Sequence, residues 1–218
     1  MNIVFDLDGT LIDSAPDLQA AASKVLERLG KDPLSLDETR RFIGQGAGVF
    51  VGEMMSARDI AASTELHASL LEEFLELYEL AVDKASYYPG VQEVLDTLHN
   101  AGHGLALCTN KPERPARAVI RHMDMEHIFE VVVAGGMLST RKPEPDMLLK
   151  AVSDLGGRPA VFVGDSEIDA ETARRAGIAF ALYTGGYRKT SVAAMHHDWA
   201  FDDFLDLPTI ITDAAERV

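Results

Sequence analysis

The sequence predicts an α/β fold, a doubly wound, Rossmann-like parallel sheet with an all-helical domain inserted after its first strand. Three observations predict it. Short apolar runs recur, each continuous rather than alternating, as strands covered on both faces require. Segments with helical start signals separate them, so strand and helix follow one another repeatedly, the order of a parallel sheet. One long stretch, by contrast, carries helical periodicity alone.

The first run is Ile3 to Phe5. From Ser14 to about Tyr87 no strand-like run occurs. Leu18, Ala22, Val25 and Leu29 mark one helical stripe there, and Leu66, Leu70, Phe74, Leu77 and Ala81 mark another. The first of these helices opens with Ser14-Ala15-Pro16-Asp17, a capping-box pattern with proline in the first turn. Tyr87-Tyr88-Pro89-Gly90 is a turn signal that marks the return to the sheet. These limits divide the chain into a core of residues 1–13 and 88–218 and a helical cap of residues 14–87. The remaining runs are Leu105 to Cys108, Val131 to Ala134, Ala160 to Val163 and Ile178 to Tyr183. Helices are expected at Pro112 to Met123, Pro145 to Leu155, and Glu167 to Ala176 with Gly177 closing the last.

Composition narrows the function classes. The 218 residues include 20 basic and 35 acidic side chains, a formal charge of −15, and 47% are hydrophobic, enough to bury a core. So acidic a surface repels polyanions, so neither nucleic acid nor an anionic membrane is expected as a partner. The single cysteine, Cys108, has no partner for an internal disulfide and reads as a small buried hydrophobe. No run of about 18 apolar residues exists to span a bilayer, and Met1 to Asp6 carries no signal-peptide pattern. A cytoplasmic monomer or homodimer is the expectation.

The chemistry gathers at strand ends. Four apolar runs lead into polar residues: Asp6-Leu7-Asp8-Gly9-Thr10, Thr109-Asn110-Lys111, Lys142-Pro143, and Gly164-Asp165-Ser166 with Asp169. Ligands of open parallel sheets bind outside the carboxyl ends of the strands, so these four groups converge on one edge. Asp6, Asp8 and Asp165 cannot all stay ionised in one crevice without a cation, and Mg²⁺, with its oxygen ligands and preference for phosphate, suits them. Thr109 supplies a hydroxyl, Asn110 and Gly9 supply backbone N–H groups, and Lys142 a positive charge, together an anion cradle. Two carboxylates two residues apart in an extended segment face one ligand. Asp6, beside the metal and Lys142, is expected to stay ionised and attack, while Asp8, turned from the metal, holds a proton for the leaving group.

In order and across the whole chain, these motifs resemble the haloacid dehalogenase (HAD) superfamily of phosphatases. DxDGT stands at Asp6 to Thr10, the Thr/Ser motif at Thr109, the lysine motif at Lys142 and GDSxxD at Gly164 to Asp169, with the helical insertion in the place of the first-type (C1) cap. Locally, Asp13 to Leu18, Phe42 to Ala47, Tyr88 to Val91 and Thr109 to Pro112 resemble phosphoglycolate phosphatases. The resemblance implies a phosphomonoesterase acting on a small phosphorylated metabolite, 2-phosphoglycolate first, through an aspartyl-phosphate on Asp6. It also implies Mg²⁺ held by Asp6, the Asp8 carbonyl and Asp165. Thr10 and Asp169 would orient these groups without touching the metal. In the cap, Gly44-Gln45-Gly46 reads as a substrate-facing loop, so Gln45 and Gly46 bear on specificity, with Arg41, or its neighbour Arg40, meeting a substrate carboxylate.

Competing readings differ at single residues. Asp8 speaks against a dehalogenase, the absence of lysine between Lys31 and Lys84 against a phosphonate hydrolase, and Leu18 in place of histidine against a sugar-phosphate mutase. Inorganic pyrophosphatase is the alternative enzyme. A phospho-accepting receiver-like signalling module is the alternative outside enzymes, disfavoured by the insertion and by the Asp6/Asp8 pair.

Overall fold

The computed structural model describes residues 1–157 and 159–217; Arg158 and Val218, which fall in the expected core segment, lie outside the described residues. The chain runs through β1 (Asn2–Phe5), β2 (Ile12–Asp13), α1 (Ala15–Arg28), α2 (Leu36–Phe42), α3 (Ala47–Ser56), α4 (Thr64–Leu80) and β3 (Ser86–Tyr87). It continues through α5 (Val91–Asn100), β4 (Gly104–Pro112), α6 (Glu113–His122), β5 (Val131–Gly135) and α7 (Asp146–Asp154). Last come β6 (Ala160–Gly164), α8 (Glu167–Ala176), β7 (Ala179–Tyr183), β8 (Trp199–Phe201) and α9 (Leu207–Glu216).

Six strands form one parallel sheet in the order β5-β4-β1-β6-β7-β8. The continuous apolar runs follow from burial on both faces. Alternate residues point to opposite sides, so Ile3, Phe5, Leu105, Leu107, Val161 and Val163 pack with α5, α6 and α9. Their neighbours Val4, Ala106, Cys108 and Phe162 pack with α7 and α8. β1 sits between β4 and β6, where the strand order reverses, and in doubly wound sheets that reversal opens the ligand crevice.

β2 and β3 pair antiparallel as a two-stranded ribbon, Ile12 with Tyr87 and Asp13 with Ser86. The insertion leaves and returns along this ribbon. Ser86 and Tyr87 were expected within an all-helical stretch; a two-residue strand leaves no periodicity to read. The insertion has its own apolar cluster, built from Leu18, Ala22, Val25 and Leu26 of α1, Phe50, Val51 and Met54 of α3, and Leu70, Phe74 and Tyr78 of α4. Leu29 does not hold its expected place, since it lies beyond α1 and is exposed; Leu66, Leu77 and Ala81 pack half-buried against the cluster, and Tyr78 joins Leu70 and Phe74 as fully buried on α4.

The Ser14-Asp17 capping box does not form. Ser14 precedes α1 without a side-chain cap, and Pro16 stands in the first turn as expected. Both partners are taken elsewhere: Ser14 Oγ donates to Asp8 at 2.5 Å, and the Asp17 carboxylate accepts from the backbone N–H groups of Lys84 and Ala85 at 3.0 and 2.8 Å. Reciprocal boxes do form at Ser35/Glu38, before α2, and at Ser166/Asp169, before α8.

Candidate active site

β1 ends at Phe5, and the next residue, Asp6, is fixed by its own N–H on the Val163 carbonyl at 2.9 Å. Its Oδ1 accepts from Lys142 Nζ at 2.7 Å, and the same ammonium donates to Asp169 Oδ1 at 2.6 Å. Asp169 Oδ2 in turn accepts from Ser166 Oγ, so the box that starts α8 also aims the carboxylate holding Lys142. On the other side, Asp165 accepts from the Thr10 hydroxyl at 2.9 Å and from the Tyr187 N–H at 2.6 Å.

Asp6, Asp165 and Asp169 place carboxylate oxygens within 4.8 Å of one another, all buried. Among the described residues only one ammonium, that of Lys142, faces the three, leaving an excess of two negative charges when all are ionised. The electrostatics register it. Burial, partly opposed by Lys142 and aided by the Asp169 charge, pushes Asp6 up to about 7. Burial and the charges of Asp169 and Asp6 hold Asp165 well above the usual carboxylate range. Burial alone would lower Lys142, but Asp169 and Asp6 outweigh it and raise the ammonium further. A divalent cation with oxygen preference fits this excess and this donor set, and it would restore the ionised Asp6 expected from sequence.

Asp8 faces different partners. Its Oδ1 accepts from Ser14 Oγ and from Lys111 Nζ, the latter at 2.9 Å, and Lys111 also donates to the Tyr78 hydroxyl of α4. Thr109, Asn110 and Lys111 follow one another in β4, with Thr109 Oγ1 accepting from the Lys111 N–H at 3.1 Å. The Asn110 side chain is a clasp: it donates to the Gly44 and Lys142 carbonyls and accepts from the Lys142 N–H. Cys108 lies close behind, its thiol pushed up to about 12 by burial, which keeps it protonated and inert.

The core and the insertion enclose a cavity of about 50 Å³, room for a few waters or one small ligand. Asp6, Asp8, Thr109, Asn110, Lys111, Lys142, Asp165 and Asp169 line its core side, and Leu18, Phe42, Gly46, Phe50, Phe74 and Tyr78 its cap side.

Most sequence-selected residues thus meet in one place; three expectations need correction. Gly9 does not offer its N–H to a ligand, because that group donates to the Ile12 carbonyl at 2.9 Å. Its part is steric: with φ of 94° it turns the chain where any Cβ would strike Asp165. Arg41, on α2, and Gln45, in the loop after it, are exposed and do not line the cavity, and Arg40 is held by Asp13 at 2.9 Å. Of that loop Gly44 and Gly46 reach the pocket, Gly46 just before α3 with φ of 87°.

Sequence reading placed Lys111 at a strand end without giving it a role, and it did not single out Tyr78, Gly186 or Tyr187. Gly186 packs so tightly on Asp165 and the Gly9 carbonyl that no side chain fits, while the Tyr187 hydroxyl donates to Asp13 at 2.6 Å. The signal was present: Gly185-Gly186-Tyr187 lies just beyond the carboxyl end of β7, at the edge where the other groups collect.

Comparison with known proteins agrees with this geometry. A family model described as haloacid dehalogenase-like hydrolase matches residues 3–183. The chain belongs to that family. A phosphoglycolate phosphatase of Rhodobacter capsulatus is 42% identical to this HAD hydrolase over 209 residues, covering 96% of this chain and 95% of its own. One from Caulobacter vibrioides is 34% identical, covering 94% and 88%. The crystal structure of a predicted phosphoglycolate phosphatase from Haemophilus somnus superposes with a TM-score of 0.90 at 30% identity, covering 96% and 97%. CbbY of Rhodobacter sphaeroides, solved in complex with phosphate, shares the fold with a TM-score of 0.81 at 24% identity, covering 94% and 95%. This HAD hydrolase is a phosphoglycolate phosphatase-like phosphoric monoester hydrolase. None of its described helices is long and apolar enough to cross a membrane.

Proposed function

We propose that this enzyme hydrolyses the phosphate ester of a small metabolite, 2-phosphoglycolate before others, by way of an aspartyl-phosphate on Asp6, with Mg²⁺ as its metal. One observation carries the reading: two carboxylates two residues apart line the same cavity on opposite sets of partners, Asp6 on Lys142 and Asp8 on Ser14 and Lys111. Separated environments are how one site obtains both a nucleophile and an acid from a single residue type.

Asp6 Oδ1 is occupied by Lys142, which leaves Oδ2 to attack phosphorus. The Thr109 hydroxyl, the Asn110 N–H and Lys142 cradle the phosphoryl oxygens. Asp8 Oδ1 is occupied by Ser14 and Lys111, which leaves Oδ2 to hand a proton to the departing alkoxide. The same oxygen then takes a proton from water, which attacks the acyl phosphate and frees Asp6. The Asp6 and Asp165 carboxylates and the Asp8 carbonyl would hold the cation, which supplies charge neutralisation for an incoming phosphate dianion. Asp169, with Ser166 and Lys142 on its oxygens, positions Lys142. Apolar cap residues exclude bulk water from the acyl phosphate.

The test is a panel of phosphorylated metabolites assayed with Mg²⁺ and again after chelation. Highest kcat/KM on 2-phosphoglycolate, with turnover lost on chelation and restored by Mg²⁺, is expected. Preference for pyrophosphate would overturn the substrate assignment, and undiminished turnover after rigorous chelation the metal assignment.

A further inference from the structure

Lys111 is a buried cation in the cavity to which the steps above give no task of its own. It is 5% exposed and stands two residues beyond Thr109, where an extended chain has advanced about 7 Å. Its ammonium donates to Asp8 Oδ1 and to the Tyr78 hydroxyl. An ammonium has three N–H donors, so among the described residues one is left for a ligand. Other cations near the cavity are placed differently. Lys142 is clamped between Asp6 and Asp169, Arg40 is held by Asp13, Arg41 and Arg141 are exposed and outside the lining, and Lys189 is an exposed residue at the rim. Around Lys111 the cap wall is apolar, with Leu18, Phe50 and Phe74.

We infer that Lys111 is the specificity-determining residue of this site: it receives a carboxylate carried one carbon from the ester oxygen, and Tyr78 holds its ammonium in place from the cap. The inference rests on the phosphomonoesterase reading above and names what that site selects. Asp8 must touch the ester oxygen to protonate it, and Lys111 touches Asp8. A carboxylate one methylene beyond that oxygen therefore falls to Lys111 rather than to an arginine of α2. In a wall otherwise apolar, an ester with an uncharged tail leaves the third N–H of the ammonium without an acceptor, and a longer or branched tail meets Phe50 and Phe74.

The experiment compares kcat/KM for 2-phosphoglycolate and for ethyl phosphate, which has the same chain length without the charge. In the wild-type enzyme a preference for 2-phosphoglycolate of about 10²-fold or more is expected, the scale on which a desolvated charge pair is lost. Lys111→Met should reduce that preference to less than about 5-fold, through a larger fall on 2-phosphoglycolate than on ethyl phosphate, while Lys189→Met should retain it. An equal fall on both substrates would show that Lys111 acts only through Asp8 and would overturn the inference. So would retention of the preference in Lys111→Met, or its loss in Lys189→Met. Should Lys111→Met fail to fold, the wild-type comparison decides alone: hydrolysis of both esters without preference refutes Lys111 as the selector while leaving the phosphatase reading intact. Hydrolysis of neither ester refutes that reading itself.

Discussion

The two walls of the cavity are built on opposite plans. On the core side, Asp6, Asp8, Lys111, Lys142, Asp165 and Asp169 are buried or nearly so, and each side chain is fixed by named partners at or beyond the carboxyl ends of β1, β4, β5 and β6. On the cap side, Phe50 and Phe74 stack at 5.1 Å and Tyr78 follows at 5.4 Å, a surface with little polar capacity beyond one hydroxyl. Charges placed on a sheet edge inherit the sheet's rigidity, which fixed electrostatic groups need. An apolar surface on a separate cluster can exclude water and sort ligands by size without disturbing those charges. The difference teaches that fixed charges and a water-excluding surface are built on separate hydrophobic cores, with Lys111 and Tyr78 as the point where they touch.

The largest effect should come from the core wall. Asp6→Asn is expected to lower kcat by about 10⁴-fold or more, as loss of a covalent nucleophile does, with the far-UV spectrum unchanged. Residual turnover within tenfold of wild type in purified variant would remove Asp6 from that role. Next, Asp8→Asn should cost about 10² to 10⁴ on an alkyl phosphate and less on p-nitrophenyl phosphate, whose leaving group needs little protonation. Equal losses would assign Asp8 to something other than the leaving group. The smallest effects set the two capping boxes against each other. Ser35→Ala in the cap and Ser166→Ala in the core should each cost about 1 kcal/mol in denaturant unfolding. Only Ser166→Ala should also lower kcat, by about 10- to 100-fold, because its hydroxyl holds the carboxylate that holds Lys142. If Ser35→Ala slowed the reaction equally, the division between the walls would be wrong.

Much of the core could be read in advance because its signals are local. A run such as Ala160 to Val163 followed by Gly164-Asp165 states in consecutive residues both a doubly buried strand and a polar end, and the structure differs from such expectations by a residue or so at each boundary, except that β4 runs four residues past Cys108 to Pro112. What escaped reading depends on distant partners. Ser14 and Asp17 spell a capping box, yet one side chain answers to Asp8 and the other to backbone N–H groups at Lys84 and Ala85. Tyr78 lies one residue off the apolar stripe of its helix, and its hydroxyl meets Lys111, 33 residues on. Arg41 has the chemistry of a carboxylate receptor and lacks only the direction, which the turn of α2 decides. β8, three residues long, falls below any periodic signal.

The position of β1 has a consequence for how the chain is made. It pairs with β4 at Gly104 to Leu107 and with β6 at Ala160 to Val163, so nothing it can bind exists until about a hundred further residues have been added. At ribosomal speeds the wait for β4 is roughly 5–20 s. The helices between residues 15 and 80, which fill their own cluster, emerge complete during that interval. Translation therefore completes the helical insertion before β1, the strand that precedes it, has met either of the strands it pairs with.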